Sequence, residues 1–233
     1  MTGRVHSVQS LGAVDGPGLR YIVFLQGCPL RCVYCHNPDT WAFSGGTEMT
    51  TDELVSRIIR FKSYFGKEGG VTVSGGEPLM QAEFVTELFQ KLHQQGIHTA
   101  LDTSCILLGA KTEELLRHTD LVLADLKFSN QKDYLHYTKG DYHTVRQFLE
   151  LTEKMKVAVW IRHVVVPNLN DTVESLQEIK DIADLYENIQ KIEWLPFQNL
   201  CQEKYDSMKM KFPLEGTEPL SQEKLDTLIA QLK

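Results

Sequence analysis

Three cysteines within the stretch Cys28-Pro29-Leu30-Arg31-Cys32-Val33-Tyr34-Cys35 constrain this 233-residue chain more than any other feature. The C-x3-C-x2-C triplet follows directly on the apolar run Tyr21-Ile22-Val23-Phe24-Leu25, so it belongs to a loop at the end of a strand. Soft thiolates at this spacing can converge on one inorganic centre, an iron–sulfur cluster or zinc. A closed structural zinc site wants four ligands, and a closed [4Fe-4S] cluster takes four cysteines. Here the local set stops at three. An iron without a protein ligand is an open coordination position, which points to catalysis. Two plainer readings stand beside this one. A Cys3His zinc site would recruit His36, although adjacent Cys35 and His36 side chains rarely reach the same ion. A disulfide would strand one of the three thiols.

Composition narrows the field. The length suits one domain, residues 1–233, with a core large enough for an α/β barrel. No run of about 18 apolar residues is present, so no membrane-spanning helix is expected. The net charge is −7 with no long basic block, which argues against nucleic acid as the partner. Nothing in Met1-Thr2-Gly3-Arg4 leads into a signal peptide, and five cysteines, three of them clustered, suit a reducing cytoplasm. Cys105 and Cys201 stand alone and read as buried free thiols.

Along the chain, strand and helix signals alternate. Residues 1–18 read as a short N-terminal arm or hairpin with a glycine-rich turn, and residues 20–26 as the first strand. Thr50-Thr51-Asp52-Glu53 before Leu54, Val55, Ile58 and Ile59 is a capped amphipathic helix. Residues 70–74, 98–101, 121–124, 157–161 and 189–195 read as further strands. The helical stretches between and after them are 81–95, 112–117, 141–155, 172–186 and 221–232. Six βα units in sequence predict an α/β fold, a partial (β/α)6 TIM-like barrel with six parallel strands instead of eight.

Polar or reactive residues collect where each of these strands ends. Cys28 follows the first, Ser74-Gly75-Gly76-Glu77-Pro78 the second and Asp102-Thr103 the third. Asp125-Leu126-Lys127 follows the fourth, Arg162-His163 the fifth and Pro196-Phe197-Gln198 the sixth. Barrel enzymes carry their chemistry at this end of the strands. Gly75 and Gly76 lack side chains, which admits a ligand close to the backbone or serves an ordinary turn. Asp102 and Asp125 form an acid/base pair, a cation site or solvated strand-end charge. Lys127 and Arg162 offer donors to an anionic ligand or form surface ion pairs.

The cysteines also sit in a longer pattern. Asp15-Gly16-Pro17-Gly18-Leu19-Arg20, Phe24-Leu25-Gln26-Gly27-Cys28-Pro29-Leu30-Arg31-Cys32 and Tyr34-Cys35-His36-Asn37-Pro38 resemble the signature of a radical S-adenosylmethionine family, the activators of glycyl-radical enzymes. The likeness runs from residue 3 to about 200. It implies the partial barrel, and a [4Fe-4S] cluster on Cys28, Cys32 and Cys35 whose open iron chelates S-adenosylmethionine. One electron from the cluster would then yield a 5′-deoxyadenosyl radical that takes a hydrogen from the Cα of a partner's glycine. By the same resemblance the Gly-Gly-Glu segment receives the methionine amino group, with Glu77 as acceptor, and Tyr34 and His36 lie against the adenine. Asp102 and Asp125 hold a monovalent cation beside the carboxylate, and Leu126, Lys127, Arg162 and Gln198 complete the cofactor site. Lys127 joins the three cysteines as a catalytic residue.

The implied partners are a glycyl-radical enzyme as protein substrate and a flavodoxin or ferredoxin-like reductant. No cysteine lies between His36 and Ser74, where many activators carry a ferredoxin-like insert, and this favours the type that acts on pyruvate formate-lyase. Two departures run against the family pattern. Asp102-Thr103-Ser104-Cys105 replaces Asp-Thr-Asn-Gly, and Gln198 stands in place of a histidine. Glutamine still donates and accepts hydrogen bonds. The alternatives are an activator of another glycyl-radical enzyme, an iron–sulfur electron carrier and a zinc module. A six-strand barrel with short loops after its strands would leave a lateral gap suited to an extended, glycine-bearing peptide.

Overall fold

The strand leading to the cysteines is apolar on both faces because it is covered on both faces. In the computed structural model, which describes residues 1–233, Tyr21, Ile22, Val23 and Leu25 are all buried. The elements in chain order are β1 (Thr2–Gly12), β2 (Arg20–Leu25), β3 (Thr47–Thr50), α1 (Thr51–Ile58), β4 (Gly70–Gly75), α2 (Ala82–Gln94), β5 (His98–Thr103) and α3 (Ala110–Leu116). They continue with β6 (Leu121–Asp125), α4 (Gln131–Thr138), α5 (Tyr142–Met155), β7 (Ala158–Val165), α6 (Val173–Ala183), β8 (Ile189–Pro196), α7 (Gln202–Ser207) and α8 (Gln222–Ile229).

One eight-stranded sheet runs in the order β3-β1-β2-β4-β5-β6-β7-β8. From β2 to β8 the six strands are parallel, and they form the partial barrel expected from the alternation of elements. β3 and β8 are its two edges, so the barrel stays open. Of the two readings of the N-terminal segment, the hairpin holds: its first arm is an eleven-residue strand that turns back into β2. β1 lies antiparallel between β2 and β3, pairing Val8 with Val23 and Gly3 with Met49. The short β3 and the polar helices α4 and α7 have no counterpart among the expected elements. α1 has the anticipated capping box: Glu53 N donates to Thr50 Oγ1 at 3.2 Å, and Thr50 N donates to a Glu53 carboxylate oxygen at 2.7 Å.

The connections are not uniformly short. Residues 26–46 carry the cysteines from β2 to β3, and residues 197–221 lead from β8 to α8 with α7 between them. α7 packs beside the cysteine loop, where Lys204 Nζ donates to Asn37 Oδ1 at 2.8 Å and Tyr205 Oη donates to the Cys35 carbonyl at 3.2 Å.

The turn between β1 and β2 enters the barrel from below. Thr72 Oγ1, on β4, donates to the Asp15 carbonyl at 2.6 Å. Arg20 is wholly buried and donates to Thr72 Oγ1 at 2.6 Å, Val71 O at 2.6 Å and Pro17 O at 3.1 Å, with His98 Nδ1 at 3.2 Å. The Asp-Gly-Pro-Gly-Leu-Arg segment thus closes the floor of the barrel and lifts Asp15 into its interior.

Candidate active site

A cavity of about 340 Å³ opens at the C-terminal ends of the parallel strands. Cys28, Cys32 and Cys35 line it together with Tyr34, His36, Ser74, Gly75, Gly76, Asp102, Asp125, Lys127 and Arg162. The topology therefore gathers residues from β2, β4, β5, β6 and β7 at one mouth.

The cysteine loop is held on both flanks. Gly27 N donates to Thr40 O at 2.7 Å, Arg31 N to Thr138 O at 2.8 Å and Val33 N to Tyr137 O at 2.9 Å. Arg31 Nη1 donates to the Cys28 and Leu30 carbonyls at 2.9 and 2.7 Å, while its guanidinium lies 4.8 Å from the centre of the Trp41 ring. Burial pushes the Cys28 and Cys32 thiols up to about 12 and raises Cys35 as well, so a metal centre must displace protons to bind here.

Gly75 and Gly76 are glycines for a reason inside the protein. Gly75 has φ +109°, and a Cβ there would meet Leu25 N at 2.3 Å; one on Gly76 would meet Gly27 O at 2.3 Å. Gly76 N and Glu77 N donate to Leu25 O and Gly27 O, both at 2.8 Å. The segment clamps the root of the cysteine loop. Glu77 itself departs from expectation. It is wholly buried and does not line the cavity. Its carboxylate accepts from Thr103 Oγ1 at 2.6 Å, Ser104 N at 2.9 Å, Leu79 N at 3.0 Å and the Ser104 hydroxyl. With four internal donors it has no orientation left toward a ligand amino group. It ties the β4 loop to the end of β5, and Ser104 provides two of the four bonds. Cys105 follows at φ 61°, the left-handed region where the family pattern has glycine, and its side chain is buried.

The charged residues at the mouth form two pairs. Asp102 Oδ2 accepts from Ser74 Oγ at 2.6 Å and Arg162 Nη1 at 3.1 Å. Asp125 Oδ2 accepts from Lys127 Nζ at 2.7 Å. Burial pushes the Asp102 carboxyl up to about 6 against the pull of Arg162, with Asp125 and Asp15 adding to the rise. Burial is the largest single influence on Lys127 and opposes its charge, yet Asp125 together with Cys32, Tyr34 and Tyr134 outweighs it and holds the ammonium well above the usual lysine range. Arg162 also reaches Asp15 Oδ1 at 3.5 Å and Glu193 Oε2 at 3.7 Å. Three carboxylates, Asp15, Asp102 and Asp125, line the cavity beside two basic groups, and Glu193 is offset by Lys191 at 2.8 Å, which leaves the mouth with one net negative charge when all are charged.

Every backbone polar group around Leu126 is satisfied. Tyr134 Oη donates to Asp125 O at 3.1 Å and accepts from Lys127 N at 3.2 Å, Leu126 N donates to Arg162 O at 3.1 Å, and His163 Nδ1 donates to Leu126 O at 2.7 Å. Leu126 is buried and faces away from the cavity, so its contribution is to hold its neighbours. Gln198 is not a lining residue either; its carbonyl lies 2.8 Å from His36 Nε2, and the ring orientation is all it controls. Asp15 is the charged lining residue that the strand-end reading missed. Its only trace in sequence was the Asp-Gly-Pro-Gly segment, read there as a turn.

The donor set fits an iron–sulfur cluster better than a single ion. All five cysteines are free thiols. No three His, Cys, Asp or Glu side chains close on one point where an ion would sit. The three cysteines instead border one cavity, as ligands at the periphery of a multi-iron body do. Tyr34 and Arg162 both line the cavity, and each has a buried polar atom without a hydrogen bond: the Tyr34 hydroxyl, and Arg162 Nε, which faces Glu193 Oε2 at 3.7 Å. Buried polar groups left unpaired are costly unless a ligand satisfies them.

Comparison with known proteins agrees with this geometry. Residues 14–146 match the family model described as a 4Fe-4S single cluster domain. The chain is 45% identical over 232 residues to the pyruvate formate-lyase-activating enzyme of Clostridium pasteurianum, covering 99% of this chain and 97% of that protein. It is 43% identical over 227 residues to the protein of the same name from Staphylococcus epidermidis, covering 94% and 90%. Among solved structures, a domain of pyruvate-formate lyase-activating enzyme from Bacteroides vulgatus superimposes with a TM-score of 0.57 at 21% identity, over 70% of this chain and 91% of that one. Streptococcus suis SuiB bound to S-adenosylmethionine superimposes with a TM-score of 0.65 at 16% identity, over 87% and 44%. These two establish a shared fold.

Proposed function

This chain belongs to the pyruvate formate-lyase-activating enzymes, and from that premise we propose that its strand-end cavity holds a [4Fe-4S] cluster and S-adenosylmethionine and serves to set a glycyl radical on pyruvate formate-lyase. One observation carries the reading: three thiols, two buried and one half-buried, and no fourth, border a cavity whose wall also holds the Asp102–Arg162 and Asp125–Lys127 pairs.

When bound, the cluster would supply one electron for the reductive cleavage of S-adenosylmethionine, the source of the oxidant that removes the Cα hydrogen of the partner's glycine. Cys28, Cys32 and Cys35 would hold the cluster and leave one iron to the cofactor. Arg162 and Lys127 donate to the methionine carboxylate or the ribose, each kept charged by its aspartate. The net negative wall suits the sulfonium and leaves room for a monovalent cation between Asp102 and Asp125. Tyr34 and His36 flank the adenine, and the Tyr34 hydroxyl gains the partner it lacks. Buried Leu30, Trp41 and Tyr34 keep water from the reacting centre. The amino group falls to backbone carbonyls of the Gly75–Gly76 segment, since Glu77 is engaged elsewhere.

We take residues 1–233 as a single radical S-adenosylmethionine domain, for which the one continuous sheet is the support. A cytoplasmic setting belongs to the same proposal, because five unpaired thiols and a cluster suit a reducing compartment. No helix is long and apolar enough to cross a membrane.

The test is anaerobic incubation of the reconstituted protein with pyruvate formate-lyase, S-adenosylmethionine and a low-potential reductant. The EPR doublet of a glycyl radical should grow only when all are present. Accumulation of 5′-deoxyadenosine without a radical on that partner would move the assignment to another glycyl-radical enzyme. The cation is checked separately, by comparing sodium, potassium and tetramethylammonium salts: equal S-adenosylmethionine affinity in all three would remove it.

A further inference from the structure

The proposed chemistry consumes an electron that must enter from outside, and the cysteine loop is thinly covered on one side. That cover is the last turn of α4. Its Tyr137 and Thr138 carbonyls accept from Val33 N and Arg31 N, and a Cβ on Gly140 would come within 3.1 Å of the Leu30 side chain. The last turn of α4 therefore packs directly on the cysteine loop, beside exposed Pro29 and Arg31.

The outer side of that helix is unusual. Lys132, Leu135 and His136 recur at i, i+3 and i+4 and form one stripe. Lys139, the left-handed residue that ends the helix, returns to it, its Nζ donating to His136 O at 3.1 Å, and all four are exposed, Leu135 at 55%. The one acid of α4, Asp133, accepts from Asn130 Nδ2 at 2.8 Å at the helix start and stands off the stripe. Exposed Arg31 adjoins the same end. The stripe carries two lysines and an exposed leucine and no acid of its own, exposed Asp141 beyond it being engaged by Thr144 at the start of α5, and this runs against the sign of a chain with net charge −7.

Resting on the functional reading above, we propose that the outer face of α4, with Lys132, Leu135 and Lys139, is the docking surface for an acidic electron-donor protein. Complementary charge would steer the donor to the point where its redox group lies nearest the cysteine loop, and Leu135 would give the encounter an apolar contact.

The test uses the reconstituted holoprotein and flavodoxin hydroquinone as the probe, with cluster bleaching followed by stopped flow. The double variant Lys132→Glu/Lys139→Glu should be reduced by flavodoxin about tenfold more slowly at low ionic strength. Added salt should slow the parent, whose attraction it screens, and speed the variant, whose repulsion it screens. Sodium dithionite should reduce both alike, which shows that the variant is folded and loaded. The control Lys67→Glu/Lys154→Glu, of equal charge change on exposed sites away from α4, should behave as the parent. Flavodoxin reduction of the α4 variant at the parental rate overturns the proposal, and so does an equal loss in the control. A variant reduced normally by flavodoxin but poor at activating pyruvate formate-lyase would assign the face to the glycyl-radical partner instead. Parental protein that accepts electrons from flavodoxin yet never cleaves S-adenosylmethionine would overturn the functional reading and leave the docking result standing.

Discussion

The two ends of the barrel both bury charge, and they do it in opposite ways. At the floor, Arg20 is wholly buried, and its guanidinium meets Thr72, Val71, Pro17 and His98 within ordinary hydrogen-bond distance. At the mouth, Arg162 is shared among Asp102, Asp15 and Glu193, its Nε meeting Glu193 only at 3.7 Å and making no hydrogen bond, and the Tyr34 hydroxyl has no hydrogen-bond partner. A satisfied buried network rigidifies, whereas an unsatisfied one costs stability that only a ligand can return. The floor is built to stay closed, and the mouth is built to be completed.

The sharpest break in that contrast comes from the cysteines. Cys32→Ala should abolish both iron loading and S-adenosylmethionine cleavage, while Cys105→Ala and Cys201→Ala, buried but outside the triplet, should retain both. Iron and sulfide content unchanged in Cys32→Ala would end the cluster assignment. Next in size is the floor itself. Arg20→Met strands several buried acceptors and should cost about 3–5 kcal/mol in urea unfolding, with cleavage per loaded molecule unchanged. Lys127→Met at the mouth should show the reverse, losing most of the cleavage for a smaller loss of stability.

His163 gives a third test. Burial holds its imidazole down at about 4 against the help of the Leu126 carbonyl. The unfolded chain binds that proton near pH 6.5, and the folded chain refuses it until about 4. Its contribution is therefore present above pH 6.5 and lost as pH falls toward 4, about 3 kcal/mol in all. His163→Gln should remove about one proton from the pH slope of the unfolding free energy across that window; an unchanged slope would place the titration elsewhere. The smallest effect is at Tyr34. Deleting the orphan hydroxyl in Tyr34→Phe should leave stability within about 1 kcal/mol of the parent or raise it, yet raise KM for S-adenosylmethionine. A clear loss of stability with unchanged KM would mean that the hydroxyl already has a partner.

The cysteine triplet, the six βα units and the gathering of Asp102, Asp125, Lys127 and Arg162 at strand ends could all be read from the chain. Each rests on a local cause: ligand spacing, period-two or period-3.6 hydrophobicity, or the rule that a parallel strand delivers its last residue to one face. α4 escaped because its outward stripe is half basic and its buried side is Tyr134, Tyr137 and Thr138, so no apolar period marks it. β3 escaped because Thr47–Thr50 is short and polar and becomes a strand only through its pairing with β1. Glu77 was misassigned for a related reason. Its position in the motif says nothing about which way the carboxylate turns, and that was decided by donors at Thr103 and Ser104, which β5 delivers beside it.

Sequence alone determined what this protein could ligate and in what order its strands arrive, because both depend on neighbours along the chain. Tertiary structure alone decided that Asp15 belongs to the site and Glu77 to the scaffold. Asp15 meets Arg162 across 147 residues, and whether a carboxylate faces a cavity or a ring of internal donors is settled by groups that only folding brings within 3.5 Å.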